Sequence, residues 1–528
     1  MKNLDRRSFV KFMGGAFAVA PGIFGLISCQ RSEASFGISP TNLDNLVLAD
    51  GLDYKLLLKW GDDLGNGESF GFNNDYTALV PLENGSSLMW VNHEYADPLF
   101  VSGYRRGGPR TLKQVDKEMY ALGGSIVEIK QDKSGDWKQV ENSKYNRRLT
   151  AKTKIPLAAP RKIAGKDFGV GTFGNCAGGV TPWGTILTCE ENYDAFVGEL
   201  HHDGRKESSR LGWENFSKDH HPHHYGWVVE VNPRTGESKK LTSIGRYAHE
   251  CCTVTRSKDG TVVAYSGDDR ANEFIYKFVS SKKDSLEVGE LFVADIINGK
   301  WLSLDINKNK ILKSTFKDQL EIQIHCRKAA RLIGATPCDR PEDIEIHPTS
   351  GEVFVALTNN YNRKDLKNSK NNFFGKVLKI SPENGDHLSM NFSSSDAVIG
   401  GEESGIACPD NLAFDKLGNL WVTNDISGSL MNKPPYEKFK NNGLYYIPLS
   451  GKNAGKTFQV ASAPNDAELT GVTFSEDYKT LFLSVQHPGE KSKSMDKLTS
   501  NWPDGGNSIP RPSVVQIRGE LLDKLMKG

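Results

Sequence analysis

Cysteine is scarce in this 528-residue chain and is not arranged for zinc: there are eight thiols and no C-x-x-C pair, and seven remain when Cys29 is set aside. That spacing excludes zinc knuckles and thioredoxin chemistry, and an odd count leaves one thiol outside any disulfide framework. An excess of charge of one sign is also missing. Lys and Arg number 66 against 65 Asp and Glu, so no overall field draws the chain to nucleic acid, and anion selectivity has to be local. There is no P-loop, no strand-to-helix serine elbow and no H-E-x-x-H, because His93-Glu94 and His249-Glu250 lack a second histidine. No Gly/Ser-rich spacer or change of composition interrupts the chain after Leu46, so residues 46–528 read as one domain. With 38% hydrophobic residues and 52 glycines the composition is that of a loop-rich globular protein with a sizeable core.

The N-terminus departs from that average. Arg6-Arg7-Ser8-Phe9-Val10-Lys11 precedes an apolar run, Phe12 to Ser28, that is too short and Gly-rich for a membrane span. It reads as a twin-arginine signal, so the twin-arginine machinery is an expected partner. Leu26-Ile27-Ser28-Cys29 resembles a lipoprotein box; cleavage at a nearby small-residue site is the alternative and would release a soluble product. Residues 1–29 are therefore read as signal, 30–45 as linker, and the mature protein as periplasmic or lipid-anchored at the cell envelope through Cys29. Export in the folded state lets a metal be inserted before the chain meets an oxidising compartment. A monomer is expected.

One pattern recurs six times: an apolar strand, a Gly- or Asp-containing turn and a second apolar strand. The copies span Tyr76–Asn92, Cys176–Cys189, Glu250–Gly267, Glu342–Thr358, Asp410–Thr423 and Glu468–Gln486. Weaker hairpins begin at Gly124, Gly226, Gly375 and Gly443. An inner and an outer hairpin make a four-stranded blade, so six repeats predict an all-β, six-bladed β-propeller. Long polar insertions without strand periodicity fall at 201–224, 308–331, 359–372 and 427–441. Strand-like segments at Tyr54–Leu58 and Pro512–Ile517 would close the ring by pairing in one blade.

The inner strands start at Asp75, Cys176, Glu250, Glu342, Asp410-Asn411 and Glu468, each a candidate ligand at an equivalent point of its repeat. A hairpin returns to the side it left, so the ends of the second strands share that mouth: Asn92-His93-Glu94, Cys189-Glu190-Glu191, Asp268-Asp269, Asn359-Asn360, Asn424-Asp425 and His487. Asp and Asn at strand ends are ordinary turn residues, but Glu is a poor one, and a turn preference does not explain Glu250, Glu342 and Glu468. Crowded carboxylates need cations. Hard oxygens favour calcium, magnesium or manganese, whereas the thiolate of Cys176 favours iron or zinc, so a mixed cluster is expected. The Gly-rich approach around Cys176 offers room for a bulky ligand. Arg340, two residues before Glu342, carries a guanidinium suited to phosphate. The run His220-His221-Pro222-His223-His224 reads as a polar loop, and Cys251, Cys252, Cys326, Cys338 and Cys408 as small buried hydrophobes.

The segments FGNCAGGVTPWGTILTCEEN from Phe173, GRYAHE from Gly245, RPEDIEIHP from Arg340, CPDNLAFD from Cys408 and LTGVTFSEDYKTLFLSVQHPGE from Leu469, together with the twin-arginine start, resemble PhoX-type alkaline phosphatases across nearly the whole mature chain. The resemblance implies hydrolysis of phosphate monoesters, with diesters as a further class, at two ferric ions, a bridging oxide and several calcium ions, with no serine nucleophile. It implies Cys176, Glu250 and Glu342 as iron-site ligands, Glu190 or Glu191 and the Asp410-Asn411 region as calcium-site ligands, and Arg340 as the phosphate contact; Glu94 and Glu468 complete the candidate set. Arg340, Cys176, Glu250 and Glu342 form the expected catalytic group. The competing readings are a calcium-only propeller esterase or lactonase and a non-catalytic calcium-binding module.

Overall fold

In the computed structural model residues 36–105, 108–216, 219–363 and 370–527 are described. The twin-arginine motif and Cys29 lie outside them. Six sheets of four to six strands stand around one axis, antiparallel except where Lys154–Ala158 joins Ser238–Leu241 in parallel, and Glu199–Leu200 and Lys206–Glu207 form a separate two-stranded ribbon. Their innermost strands are Asn74–Pro81, Asn175–Val180, Thr253–Arg256, Pro341–Ile346, Pro409–Phe414 and Glu468–Phe474, taken here as blades 1 to 6. Each touches the next, and the sixth touches the first, so the ring is closed. The closure falls in blade 6, where Asp53–Lys59 pairs antiparallel with Ser513–Arg518, joining the two ends of the fold in one sheet.

The hydrophobic core is divided into slabs between blades, because alternate residues of one strand face opposite neighbours. In blade 4, Val353 and Val355 pack with Val263 and Tyr265 of blade 3, while Phe354 and Ala356 pack with Leu412 and Val422 of blade 5. Blades 1 and 2 meet through Trp90, Ile126, Ile186 and Val229. Glycine permits the closest approach: a Cβ on Gly179 would overlap the carbonyl oxygen of Cys252, and one on Gly178 that of Leu187. The glycines after Cys176 thus serve contact between strands and blades, and the expectation that they clear space for a ligand is corrected.

Blade 3 carries an outer pair, Ile275–Ser280 with Gly289–Asp295, for which the sequence pattern gave no signal. The insertion at 308–331 is also more regular than expected. It holds the helices Lys310–Thr315, Gln319–Ile324 and Cys326–Leu332, the first two capped by Asn309 and Asp318. Each buries only one to three apolar side chains, too few to show a helical period, and Leu312, Ile322 and Ala329 extend the core of blade 3.

A local device recurs at one end of the inner strands. In blades 1, 2, 4 and 5 a left-handed residue, Asn73, Gly174, Arg340 or Cys408 (φ between 53° and 64°), precedes one paired residue. Next come Asp75, Cys176, Glu342 and Asp410, and then the register shifts by one residue. A bulge leaves such a residue unpaired and re-aims its side chain. Blade 3 reaches the same result: the isolated bridge His249–Asp268 is followed by Glu250, and regular pairing resumes, shifted, at Thr253. In blade 6 the shift falls later, between Thr470 and Thr473, so Glu468 stands ahead of the bulge and is not at the shared repeat position.

Gly179→Ala is predicted to force blades 2 and 3 apart and to lower stability by about 2 kcal/mol, seen as a reduced melting temperature. An unchanged melting temperature would show that the slab tolerates a methyl group there.

Candidate functional site

The bulged residues converge on a funnel at the axis, a cavity of about 180 Å³ lined by Asp75, Cys176, Glu250, Glu342, Asp410 and their neighbours. Ten of its lining side chains are carboxylates, against one guanidinium, Arg340. Three overlapping groups have ligand atoms within 4.8 Å of one another: Asp75, Glu94 and Cys176; Cys176, Glu191 and Glu250; Glu250, Glu342 and Asp410. Cys176 and Glu250 are each shared by two groups, so among the described residues the candidate ligands form a continuous chain from blade 1 to blade 5. At Glu94, Tyr95, Asn192 and Glu490 the funnel opens into a wider cleft of about 1420 Å³.

Protein partners satisfy this set only in part. Asp75 Oδ1, both carboxylate oxygens of Glu250 and Asp425 Oδ1 are buried without a hydrogen bond, a costly state for a carboxylate unless a cation lies against it. Burial, followed by neighbouring carboxylates, pushes Asp75, Glu250 and Asp410 well above the ordinary carboxylate range. Burial also lifts Glu191 and Glu342, against the pull of Arg270 and Arg340. Glu94 rises to about 7, again through burial. Burial and the charges of Asp75 and Glu250 raise the Cys176 thiol, so a thiolate here requires a cation. One soft and many hard donors, several of them orphaned, fit a mixed metal cluster.

Arg340 is held in one orientation. Its Nε and Nη2 donate to the two oxygens of Asp269 at 2.8 and 2.7 Å, and Nη2 lies 2.8 Å from Glu342 Oε1. Burial would raise Asp269, but Arg340 holds its carboxyl below the usual range. Glu191 pairs with Arg270 at 2.7 Å, Glu94 accepts from Gln486 at 2.7 Å, and Glu468 lies 3.3 Å from His487 Nε2.

Two candidates stand apart from the funnel. Glu190 faces Lys240 at 2.6 Å, both side chains fully buried, and accepts from the Trp227 N–H. This is an ion pair inside blade 2, and Glu191 is the member of the pair that reaches the ligand groups. Asn411 accepts from the Gly471 N–H at 3.0 Å and ties blade 5 to blade 6. The pentapeptide Gly67-Glu68-Ser69-Phe70-Gly71 has the letters of a serine elbow, but Ser69 bridges Asp63 and leads into the first inner strand, with no helix behind it. All seven described cysteines are free, and all but Cys176 are buried. The strand-end reading pointed to Asp269 and Asp425 only as members of a set, and Asn192, Gln486 and Arg270 gave no signal.

These shifts predict a pH dependence. A carboxyl raised by burial contributes stability that is fully present below its unfolded value and is lost as pH climbs through the folded one. Chelator-stripped protein should melt at progressively lower temperature between about pH 5 and 8, the window that contains Glu94, and metal-reloaded protein should lose much less. A flat profile for the stripped form would contradict the account.

A family model for alkaline phosphatase PhoX matches residues 35–489. The fold superposes on Pseudomonas fluorescens PhoX in complex with vanadate, a transition state analogue, with a TM-score of 0.82 and 31% identity, covering 92% of this chain and 98% of that one. An α-L-arabinofuranosidase from Fusarium graminearum, TM-score 0.36 at 10% identity over 88% of this chain and 98% of its own, is too distant to carry an argument. No curated protein matches the sequence. Because the family model spans most of the chain and a 31% identical PhoX covers nearly all of it, this protein belongs to the PhoX alkaline phosphatase family and is a metal-dependent phosphoric ester hydrolase.

Proposed function

We propose that the phosphatase works with two ferric ions and several calcium ions held in the funnel, and that it acts outside the cytoplasm. The observation that carries this reading is the chain of ligand groups sharing Cys176 and Glu250, with orphaned carboxylate oxygens along it. Cys176, Glu250 and Glu342 would hold iron, and Glu191 and Asp410 calcium, with Asp75 and Glu94 completing the set. When bound, such a cluster supplies Lewis acidity to phosphoryl transfer.

The chain's own residues do the rest. Arg340, fixed by Asp269 and Glu342, has Nη1 without a partner among the described residues, and this nitrogen is the donor for an equatorial phosphate oxygen. The buried walls exclude water from around the reacting phosphate and strengthen that contact. The wider cleft receives the leaving group. A calcium-only esterase has no use for the thiol of Cys176 in the middle of the ligand chain. Twin-arginine export delivers the folded, loaded protein, Cys29 anchors it to the envelope, and the enzyme acts as a monomer.

Cys176→Ser replaces the thiolate with a weak hydroxyl ligand and is predicted to strip iron, leave calcium and cut turnover of a phosphomonoester by orders of magnitude while the protein stays folded. Full activity in this variant, with no transition metal in the wild type, would overturn the iron assignment. Lysine at both Arg6 and Arg7 should hold unprocessed protein in the cytoplasm, and Cys29→Ala should release the mature protein from membranes. Normal export of the double variant, or unchanged membrane fractionation of the second, would contradict the corresponding step.

A further inference from the structure

We infer that Asp269 is a positioning residue, which clamps Arg340 so that one nitrogen stays open to the substrate phosphate; the inference rests on the reading of Arg340 given above. A guanidinium on a flexible stem beside nine other carboxylates has many partners to choose among. The parallel contacts at 2.8 and 2.7 Å to Asp269 take Nε and Nη2, the second of which also meets Glu342. Only Nη1 is left. Such a fork fixes the plane of the guanidinium as well as its place.

The clamp is itself anchored. Asp269 is 4% exposed, and its N–H donates to the Ala248 carbonyl at 3.0 Å. Asp268, next in the chain, turns the other way. It accepts from Arg327 at 2.8 and 2.5 Å and from the Ala248 N–H at 3.3 Å. Arg327 belongs to the insertion helix Cys326–Leu332. Two adjacent aspartates thus each grip an arginine, one holding the insertion against the blade and one aiming a donor into the funnel. Arg340 contributes from its own side: its left-handed backbone (φ 55°) ahead of Pro341 sets the direction in which its side chain leaves the strand. Asp269 is absent from all three candidate ligand groups, and although Glu191 and Arg270 lie against its carboxylate, Arg340 is its strongest partner.

A double-mutant cycle with Asp269→Asn and Arg340→Ala tests the inference on metal-loaded protein. It reads kcat/KM for a phosphomonoester, the inhibition constant of vanadate, iron and calcium content, and melting temperature. Each single variant is expected to weaken kcat/KM and vanadate inhibition about tenfold or more, and the double variant to fall no more than about twofold below Arg340→Ala, with metal content unchanged. If Asp269→Asn does not fold, Asp269→Glu, which keeps the charge but moves it by one methylene, runs the same cycle. A full further loss in the Arg340→Ala background, or loss of metal on changing Asp269 alone, would overturn the positioning role and leave the role of Arg340 standing. Normal vanadate inhibition in Arg340→Ala would instead remove the phosphate contact, and the positioning role with it.

Discussion

Repulsion among carboxylates gathered on one axis is the constraint on which the rest of the structure depends. The ten that line the funnel face one guanidinium, and burial denies most of them the solvent that would stabilise their charge. A fold gains nothing in stability from such a cluster on its own, because an ionised carboxylate buried without a partner is expensive. The arrangement makes sense when cations complete it, and the overlap of three ligand groups at Cys176 and Glu250 describes where they would sit. The propeller supplies the opposing term: six slabs of packed side chains and a ring closed by pairing its two ends hold the inner strands in place against that repulsion.

The bulge converts this scaffold into a site. Regular pairing would alternate side chains between neighbouring blades, as it does along the rest of each strand. One extra residue at the mouth, introduced in four blades by a left-handed backbone, breaks that alternation and turns Asp75, Cys176, Glu342 and Asp410 toward the axis. The residues that permit the left-handed turn differ, being Asn, Gly, Arg and Cys. Asn and Gly adopt it readily. Arg340 and Cys408 stand before prolines and are held there by their surroundings, and strain of this kind is characteristic of functional positions.

Much of this was legible in the sequence because it is repeated. Six hairpins of period-two apolar strands, with acidic or thiol side chains at their starts, point to the propeller and to five of the side chains it gathers at the funnel: Cys176, Glu250, Glu342, Asp410 and Asp75. The strand-end rule also delivered Glu94. It does not discriminate where register decides. Glu190 and Glu191 are equivalent in composition, and only pairing shows that the first meets buried Lys240 while the second reaches the funnel. Glu468 looked equivalent to Glu250 and Glu342, but its blade shifts register later. Arg340 could be singled out from its neighbour Glu342, whereas its clamp, Asp269, lies 71 residues away in sequence on another blade.

On this reading a transition metal bonded to Cys176 would complete a set of carboxylates that cannot be buried alone. Crystals of the purified holoprotein, with anomalous differences collected on both sides of the iron absorption edge, test it most directly. The account predicts iron density at bonding distance, about 2.3 Å as for other metal–thiolate bonds, from Cys176 Sγ, with Glu250 among the same ion's ligands. A funnel with no anomalous signal at the iron edge, and Cys176 bonded to nothing, would contradict it.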